Sequence, residues 1–165
     1  NIMQGLKEIT FDEYLDIFNR VSKNVAKVRM NSTPPNHSDG IRFFKSNEGI
    51  SYLGSDGYMG GLVRFNFANE ENLSKQHQEQ RIFKGGTFLD CYDGKLVELY
   101  KAQGFRVVSR LPFNNDYAPT GWEEDEFLKY RPDVVFLSIN QSIKIIYTND
   151  YTEAYNHSRG LSVFS

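Results

Sequence analysis

Residues 86–105 read GTFLDCYDGKLVELYKAQGF, and this stretch constrains the fold more than any other part of the chain. The run FLDCY at residues 88–92 predicts a buried strand, and Asp93-Gly94 predicts a tight turn directly after it. In the following run, KLVELYKA, the apolar residues recur at helical spacing, and Gly104 is typical of a residue that ends a helix. The stretch therefore predicts a strand, a turn, a short amphipathic helix and the start of another strand.

The composition narrows the class of protein. At 165 residues, 39% of them apolar and 15% aromatic, the chain fits one domain with a substantial core. A formal net charge of −2 provides no surplus of cations for a phosphate backbone, so we expect no nucleic-acid partner. No apolar run approaches the roughly 20 residues that cross a bilayer, so we expect no membrane association.

The cysteine and histidine content gives two further expectations. Cys91 is the only cysteine, which excludes an internal disulfide and fits a reducing compartment. Because we also see no signal-peptide pattern near the N-terminus, we expect a cytoplasmic location. The three histidines share no ligand spacing, so we expect no metal site. Cys91 lies among apolar neighbours, which favours an inert thiol over a nucleophilic one.

The first part of the chain predicts a strand followed by a helix. Residues 6–9 can form a short strand. Thr10, followed three residues later by Glu13, predicts a capping box, in which each side chain satisfies a backbone N–H group at the helix start. Apolar residues at helical spacing then predict an amphipathic helix over residues 11–28.

Three short strands are expected next, separated by turn signals. They cover residues 41–44, 50–53 and 58–67. Gly60-Gly61 inside the third strand predicts a bulge or the close approach of another backbone. The polar residues 69–84 predict a loop followed by a solvated helix.

The last part of the chain predicts two or three further strands. Residues 105–111 resume extended structure, and a polar excursion follows over residues 114–132. The apolar run at 134–139 is typical of a strand buried on both faces. Residues 143–147 can add an edge strand, but residues 140–165 otherwise form an extension to which the sequence assigns no role.

Residues 99–105, LYKAQGF, resemble the Leu-Tyr-x-x-x-Gly-Phe signature of the GNAT superfamily of N-acetyltransferases. The predicted order of strands and helices is also similar to the GNAT order over residues 6–139. The resemblance implies an α/β fold, in which a central mixed sheet is flanked by helices in a single domain, residues 1–139. A narrower similarity, to small GNAT-like proteins of bacteriophage and prophage genomes, rests on residues 89–94, 117–119 and Trp122.

The resemblance implies acetyl-CoA as cofactor and an unidentified amine, on a small molecule or a protein, as acceptor. It implies that Tyr100 protonates the departing thiolate, the alternative being a tyrosine of the core. Backbone groups of Val63, Arg64 and Phe65 would bind the pantetheine arm at a splayed edge, the alternative being a plain strand with a bulge. Asp93 stands where the family often has a cofactor-binding asparagine, but a turn-forming role is the stronger interpretation.

One departure from the family leaves two hypotheses open. The pyrophosphate loop, usually Arg/Gln-x-x-Gly-x-Gly/Ala, should lie within residues 68–76, which read ANEENLSKQ and contain no glycine. Glycines allow successive N–H groups to close on phosphate oxygens, whereas Glu70 and Glu71 would repel an anion. The chain is therefore an acyl-CoA-dependent N-acetyltransferase-like protein, or a GNAT-like protein without a cofactor site that acts as a non-enzymatic binding or interaction protein. No general base is identifiable; Glu70, Glu71 and Asp90 are conceivable.

Overall fold

The computed structural model of the chain describes residues 6–23, 34–65 and 70–160. Within these residues it has eight strands, four α-helices and three single-turn 3₁₀ helices, which confirms the predicted α/β class. The chain divides into two compact units, Asn1–Gly86 and Thr87–Ser165. Each unit contains one four-stranded sheet.

The elements follow the predicted order. The strands are β1 (Lys7–Ile9), β2 (Arg42–Lys45), β3 (Gly49–Leu53), β4 (Met59–Arg64), β5 (Phe88–Tyr92), β6 (Arg106–Leu111), β7 (Val134–Ser138) and β8 (Ile146–Tyr147). The helices are α1 (Phe11–Ser22), α2 (Glu70–Phe83), α3 (Lys95–Ala102) and α4 (Tyr151–Arg159). The three 3₁₀ helices lie between β6 and β7. From β1 to β7 this is the order that the GNAT resemblance predicts.

The first unit is built on an antiparallel sheet in the order β1-β2-β3-β4. The capping box at the start of α1 is confirmed: the Thr10 hydroxyl accepts from the Glu13 N–H at 3.0 Å, and the Glu13 carboxylate accepts from the Thr10 N–H at 2.9 Å. Helix α1 ends at Ser22, and residues 24–28 of the predicted helix lie outside the described residues. Its buried face packs on the sheet in a core formed by Ile9, Tyr14, Phe43, Ile50 and Val63.

The helix expected within residues 69–84 forms as α2, but the expectation that it is solvated is wrong for one of its faces. His77, Gln78 and Arg81 of α2 are each at most 1% exposed. Polar side chains can be buried at low cost when their hydrogen-bonding groups find partners inside the protein. The composition of this segment predicted exposure because most of those partners, on β3, β4 and the turn before β3, are distant in sequence.

The second unit has a mixed sheet in the order β5-β7-β6-β8. Strand β7 is antiparallel to both of its neighbours, β5 and β6, whereas β8 pairs with β6 in parallel. The eight strands are thus divided between two sheets, and the mixed pairing predicted for a central sheet occurs in the second.

Residues 140–160 supply β8, which lies within the edge strand predicted over residues 143–147, and α4, which the sequence did not predict. Helix α4 packs on β6 and β7. The ring of Tyr151 lies 5.2 Å from that of Phe136, and the Ser109 and Ser158 hydroxyls are 2.7 Å apart. This segment therefore contributes to the core of the second unit.

Candidate functional site

A β-bulge interrupts β4, which is an edge strand of the first sheet. Two residues of β4, Gly61 and Leu62, lie opposite the single β3 residue Ser51 because the register shifts there, which confirms the bulge predicted from the double glycine. Gly61 has a φ of +63°, and a Cβ atom there would lie 2.3 Å from the Tyr52 ring and 2.4 Å from the Tyr14 hydroxyl oxygen. Both the backbone conformation and the space therefore require glycine.

Side chains from two helices hold the carbonyl groups of the bulge. The Tyr14 hydroxyl of α1 donates to the Gly61 carbonyl at 2.8 Å. The Arg81 Nη1 of α2 donates to the carbonyl oxygens of Gly60 and Tyr52, each at 2.9 Å. Burial raises the pKa of the Tyr14 phenol, so its hydroxyl remains a donor at neutral pH. Two consecutive peptide groups of β4 are thus fixed by buried side chains.

His77 forms a second buried polar contact on α2. Its Nε2 lies 2.9 Å from the Ser46 hydroxyl, and its Nδ1 lies 2.6 Å from the Ser51 hydroxyl. Burial, followed by the positive charge of Arg81, lowers the pKa of His77 to about 3, so the imidazole is neutral at pH 7. One ring nitrogen then donates and the other accepts.

Sequence analysis missed these buried residues of α2, although a signal was present. Leu73, His77 and Arg81 are spaced four residues apart, which places them on one helix face. Only Leu73 on this face is apolar. A buried helix is usually predicted from a continuous apolar stripe, so the pattern did not indicate burial.

Three residues were predicted to bind the cofactor: Val63 and Arg64 lie on β4, Phe65 follows it directly, and their backbones face different sides. The Phe65 N–H donates to the Glu48 carbonyl at 2.9 Å, on the side of β3. Backbone groups alternate between the two sides along an antiparallel strand, so those of Val63 also face β3 and those of Arg64 face the outer edge. The Val63 side chain is buried in the core. Of the three residues, Arg64 is therefore the one whose main chain faces away from the sheet.

Asp93 lies in the second unit, at the end of β5, and is engaged in an ion pair. The Arg110 Nη1 lies 2.6 Å from the Asp93 carboxylate and 3.1 Å from that of Asp133. The Asp93 N–H donates to the Asp133 carbonyl at 2.8 Å. A Cβ atom on the adjacent Gly94 would lie 2.5 Å from the Phe127 ring. These contacts tie Asp93 into the unit and cover the start of α3.

Tyr100 lies in the last turn of α3 and is 4% exposed. Its carbonyl accepts from the N–H groups of Gln103 and Phe105 at 3.0 and 3.1 Å, and its ring centroid lies 6.1 Å from that of Phe105. Gly104, with a φ of +100°, reverses the chain between them. The Leu-Tyr-x-x-x-Gly-Phe segment therefore forms a helix end closed by an aromatic contact, which gives the core interpretation of Tyr100 a physical basis. The catalytic role stays a prediction.

The two other candidate reactive groups of β5 are Asp90 and Cys91. The Tyr151 hydroxyl donates to the Asp90 carboxylate at 3.1 Å. Burial, and then the nearby carboxylates of Asp90 and Asp93, raise the pKa of the Cys91 thiol. A thiol that resists ionisation is a poor nucleophile, in agreement with the prediction that Cys91 is inert.

The connection between β6 and β7 contains a cluster of two aromatic rings and an arginine. The ring centroids of Phe113 and Trp122 are 4.9 Å apart, and the Arg131 guanidinium lies 5.1 Å from the first and 5.8 Å from the second. The Trp122 ring is thus held within this connection by Phe113 and Arg131. Tyr117, in contrast, is 84% exposed.

The predicted pyrophosphate-binding interval falls largely outside the described structure. Residues 66–69 and the side chains of Glu70 and Glu71 are not among the described residues. Elsewhere in the part of the chain that is described, no three His, Cys, Asp or Glu side chains are grouped so that they could hold a metal ion. The helices described there include none that is long and apolar enough to span a membrane.

Comparisons with known proteins add little to this description. No protein-family model matches the chain, and no curated protein matches it in sequence. Among solved structures, the chain is similar to the crystal structure of a ribosomal-protein-alanine N-acetyltransferase from Brucella melitensis. The two sequences are 16% identical, the match covers 80% of this chain and 96% of that chain, and the TM-score is 0.47. A likeness of this extent decides nothing about activity or substrate. The similarity to phage and prophage proteins stays a prediction.

Proposed function

We propose that this chain is an acyl-CoA-dependent N-acetyltransferase. The observation that carries the proposal is the bulge of β4, whose two glycine carbonyls accept hydrogen bonds from the side chains of Tyr14 and Arg81. Such a strand offers main-chain groups in a fixed arrangement at its outer edge. The order of elements from β1 to β7 and the segment that ends α3 also support the proposal.

The reaction transfers an acyl group from sulfur to nitrogen. The amine nitrogen bonds to the thioester carbonyl carbon, the carbon–sulfur bond breaks, and the sulfur leaves with the electron pair. The amine gives up one proton to a base or to solvent, and the sulfur takes up one proton. In this proposal Tyr100 supplies the second proton, because a neutral phenol can donate a proton to a thiolate.

The residues of this chain fit the cofactor in part. The outer edge of β4, with the main chain of Arg64 and the bulge at Gly60-Gly61, fits an extended acyl-pantetheine chain that hydrogen-bonds like an added strand. Asp93 fits less well, because its carboxylate and its N–H group are bound by Arg110 and Asp133. Binding is therefore assigned to β4 and not to Asp93.

A second candidate function is a binding protein that has lost the cofactor site. The ion pair of Asp93 with Arg110 favours it, since that residue then needs no ligand to satisfy its charge. The absence of glycine from residues 68–76 favours it as well.

The first experiment is a thermal shift titration with acetyl-CoA, with calorimetry to measure the dissociation constant. A ligand present at about 100 times its dissociation constant stabilises the folded state by about 2.7 kcal/mol, so we expect a saturable rise in the melting temperature. The Tyr100→Phe variant is expected to bind acetyl-CoA normally and to release thiol at least ~100-fold more slowly in the presence of a panel of primary amines.

The control is Tyr147→Phe, because Tyr147 is an exposed tyrosine of β8. It should match the wild-type protein in both assays. No melting shift at millimolar acetyl-CoA would refute the transferase and leave the binding protein as the function. Normal thiol release by Tyr100→Phe would refute the role of Tyr100 alone.

A further inference from the structure

Arg81 is almost fully buried, and the reaction described above assigns it no role. It is 1% exposed, although arginine is rarely buried to this degree. One nitrogen, Nη1, bonds the carbonyl oxygens of Tyr52 on β3 and Gly60 on β4, and Nη2 bonds the Gln78 side-chain oxygen at 2.7 Å. A single guanidinium nitrogen thus joins two strands immediately before the bulge.

The contact with Gly60 orients one particular peptide group. In a trans peptide the carbonyl of Gly60 and the N–H of Gly61 point in opposite directions. Because Arg81 holds the carbonyl from the side of α2, the Gly61 N–H points away from α2. The next carbonyl, that of Gly61, is held by Tyr14, so the peptide cannot rotate without breaking a buried hydrogen bond.

The Arg81 guanidinium is positively charged, and this charge makes the peptide group that accepts its hydrogen bond a stronger donor at its own N–H. A hydrogen bond from a cationic donor is stronger than one between neutral groups, and it polarises the peptide that accepts it. The Gly61 N–H at the other end of that peptide becomes a better donor as a result. A preorganised N–H of this kind stabilises negative charge that develops on a carbonyl oxygen.

We propose that Arg81 is a positioning residue, which orients and polarises the peptide between Gly60 and Gly61 so that the Gly61 N–H donates to the acyl oxygen of a bound thioester. The inference rests on the proposed acyl-CoA-dependent function. It adds a residue of α2 that does not touch the substrate and acts through the backbone of β4.

The test compares the binding of acetyl-CoA with that of CoA, which lacks the acyl oxygen. Calorimetry gives both dissociation constants, and NMR of acetyl-CoA labelled with ¹³C at the thioester carbonyl reports polarisation of that group. In the wild-type protein we expect tighter binding of acetyl-CoA than of CoA and a downfield shift of the carbonyl resonance. The lysine of Arg81→Lys cannot bond both carbonyls and Gln78 at once. We therefore expect this variant to bind acetyl-CoA roughly fivefold more weakly than the wild-type protein, which corresponds to the loss of one hydrogen bond. Its affinity for CoA should be unchanged.

The matched control is His77→Gln, on the same helix and equally buried but bonded to Ser46 and Ser51 instead of the bulge. It should keep the carbonyl shift and the preference for acetyl-CoA. If Arg81→Lys does not fold, Gln78→Leu, which removes the oxygen bound by Nη2, replaces it and should lose part of the shift.

The outcomes separate the two proposals. If the wild-type protein binds neither acetyl-CoA nor CoA, the proposed function fails, and this inference fails with it. If the wild-type protein binds acetyl-CoA but a folded Arg81 or Gln78 variant keeps the full carbonyl shift, only the inference is overturned. A variant that loses acetyl-CoA and CoA affinity equally also overturns it, because a purely structural role would produce that result.

Discussion

Gly61 shows how a single residue determines the geometry of the candidate site. Its left-handed backbone conformation turns the chain at the bulge, and its missing side chain makes room for the Tyr14 hydroxyl that bonds its carbonyl. The double glycine in the sequence predicted a bulge or the close approach of another backbone; the bulge occurs, and the groups that approach closely are side chains. The identity of the approaching groups, two tyrosines, could not be predicted, since they lie on other elements.

We expect Gly61→Ala to lower the free energy of unfolding by about 2–4 kcal/mol. Left-handed strain costs about 1 kcal/mol in an alanine, and the clash with Tyr52 and Tyr14 adds about 1–3 kcal/mol. The control is Gly85→Ala, where φ is also positive, at +107°, but nothing lies within 4 Å of a Cβ atom. Urea unfolding of both variants measures the difference. Equal losses of unfolding free energy in the two variants would show that Tyr52 and Tyr14 move aside without cost and that close packing at the bulge is unimportant.

At the scale of elements, α2 and α4 depart furthest from what their sequences suggest. Both have low apolar content, yet both carry fully buried residues, Arg81 on α2 and Ala154 on α4. Small or polar residues can form a buried helix face when the facing sheet supplies space or hydrogen-bond partners. Periodicity of apolar residues detects neither case.

The burial of α4 leads to a prediction about this helix. Ala154 is fully buried, and its carbonyl accepts from the Ser109 hydroxyl of β6. Ala154→Leu should therefore cost about 1–3 kcal/mol of stability through overpacking. Asn156→Leu, at an exposed position of the same helix, is the control and should change stability by less than ~0.5 kcal/mol.

Chemical denaturation monitored by near-ultraviolet circular dichroism distinguishes the two variants. An Ala154→Leu protein as stable as Asn156→Leu would mean that α4 is a dispensable extension and does not contribute to the core of the second unit.

At the scale of the whole molecule, buried His77 links stability to pH. Its pKa is lowered from 6.5 to about 3 in the folded protein. Between these pH values the unfolded chain binds a proton at His77 that the folded chain does not. Stability therefore falls as the pH decreases through this window, and above the window His77 causes no further change. The contribution lost between pH 7 and pH 5 is roughly 2 kcal/mol.

The measurement is the free energy of unfolding of wild-type protein and His77→Gln at pH 7, 6 and 5. Other groups contribute equally to both proteins, so the wild-type curve should fall more steeply. Parallel curves would mean that His77 has the same pKa in the folded and the unfolded protein, in contradiction to its lowered pKa.

By itself, the sequence determined the local parts of this protein: the capping box of Thr10 and Glu13, the turns, the order of strands and helices, and the helix end at Gly104. Each of these depends on residues that are neighbours in the chain, so their pattern is visible in one dimension. Only the tertiary structure decided which polar residues are buried, that Asp93 is bound by Arg110, and that Arg81 and Tyr14 hold the bulge of β4. These features depend on hydrogen bonds between residues far apart in sequence, whose partners are defined only after the chain has folded.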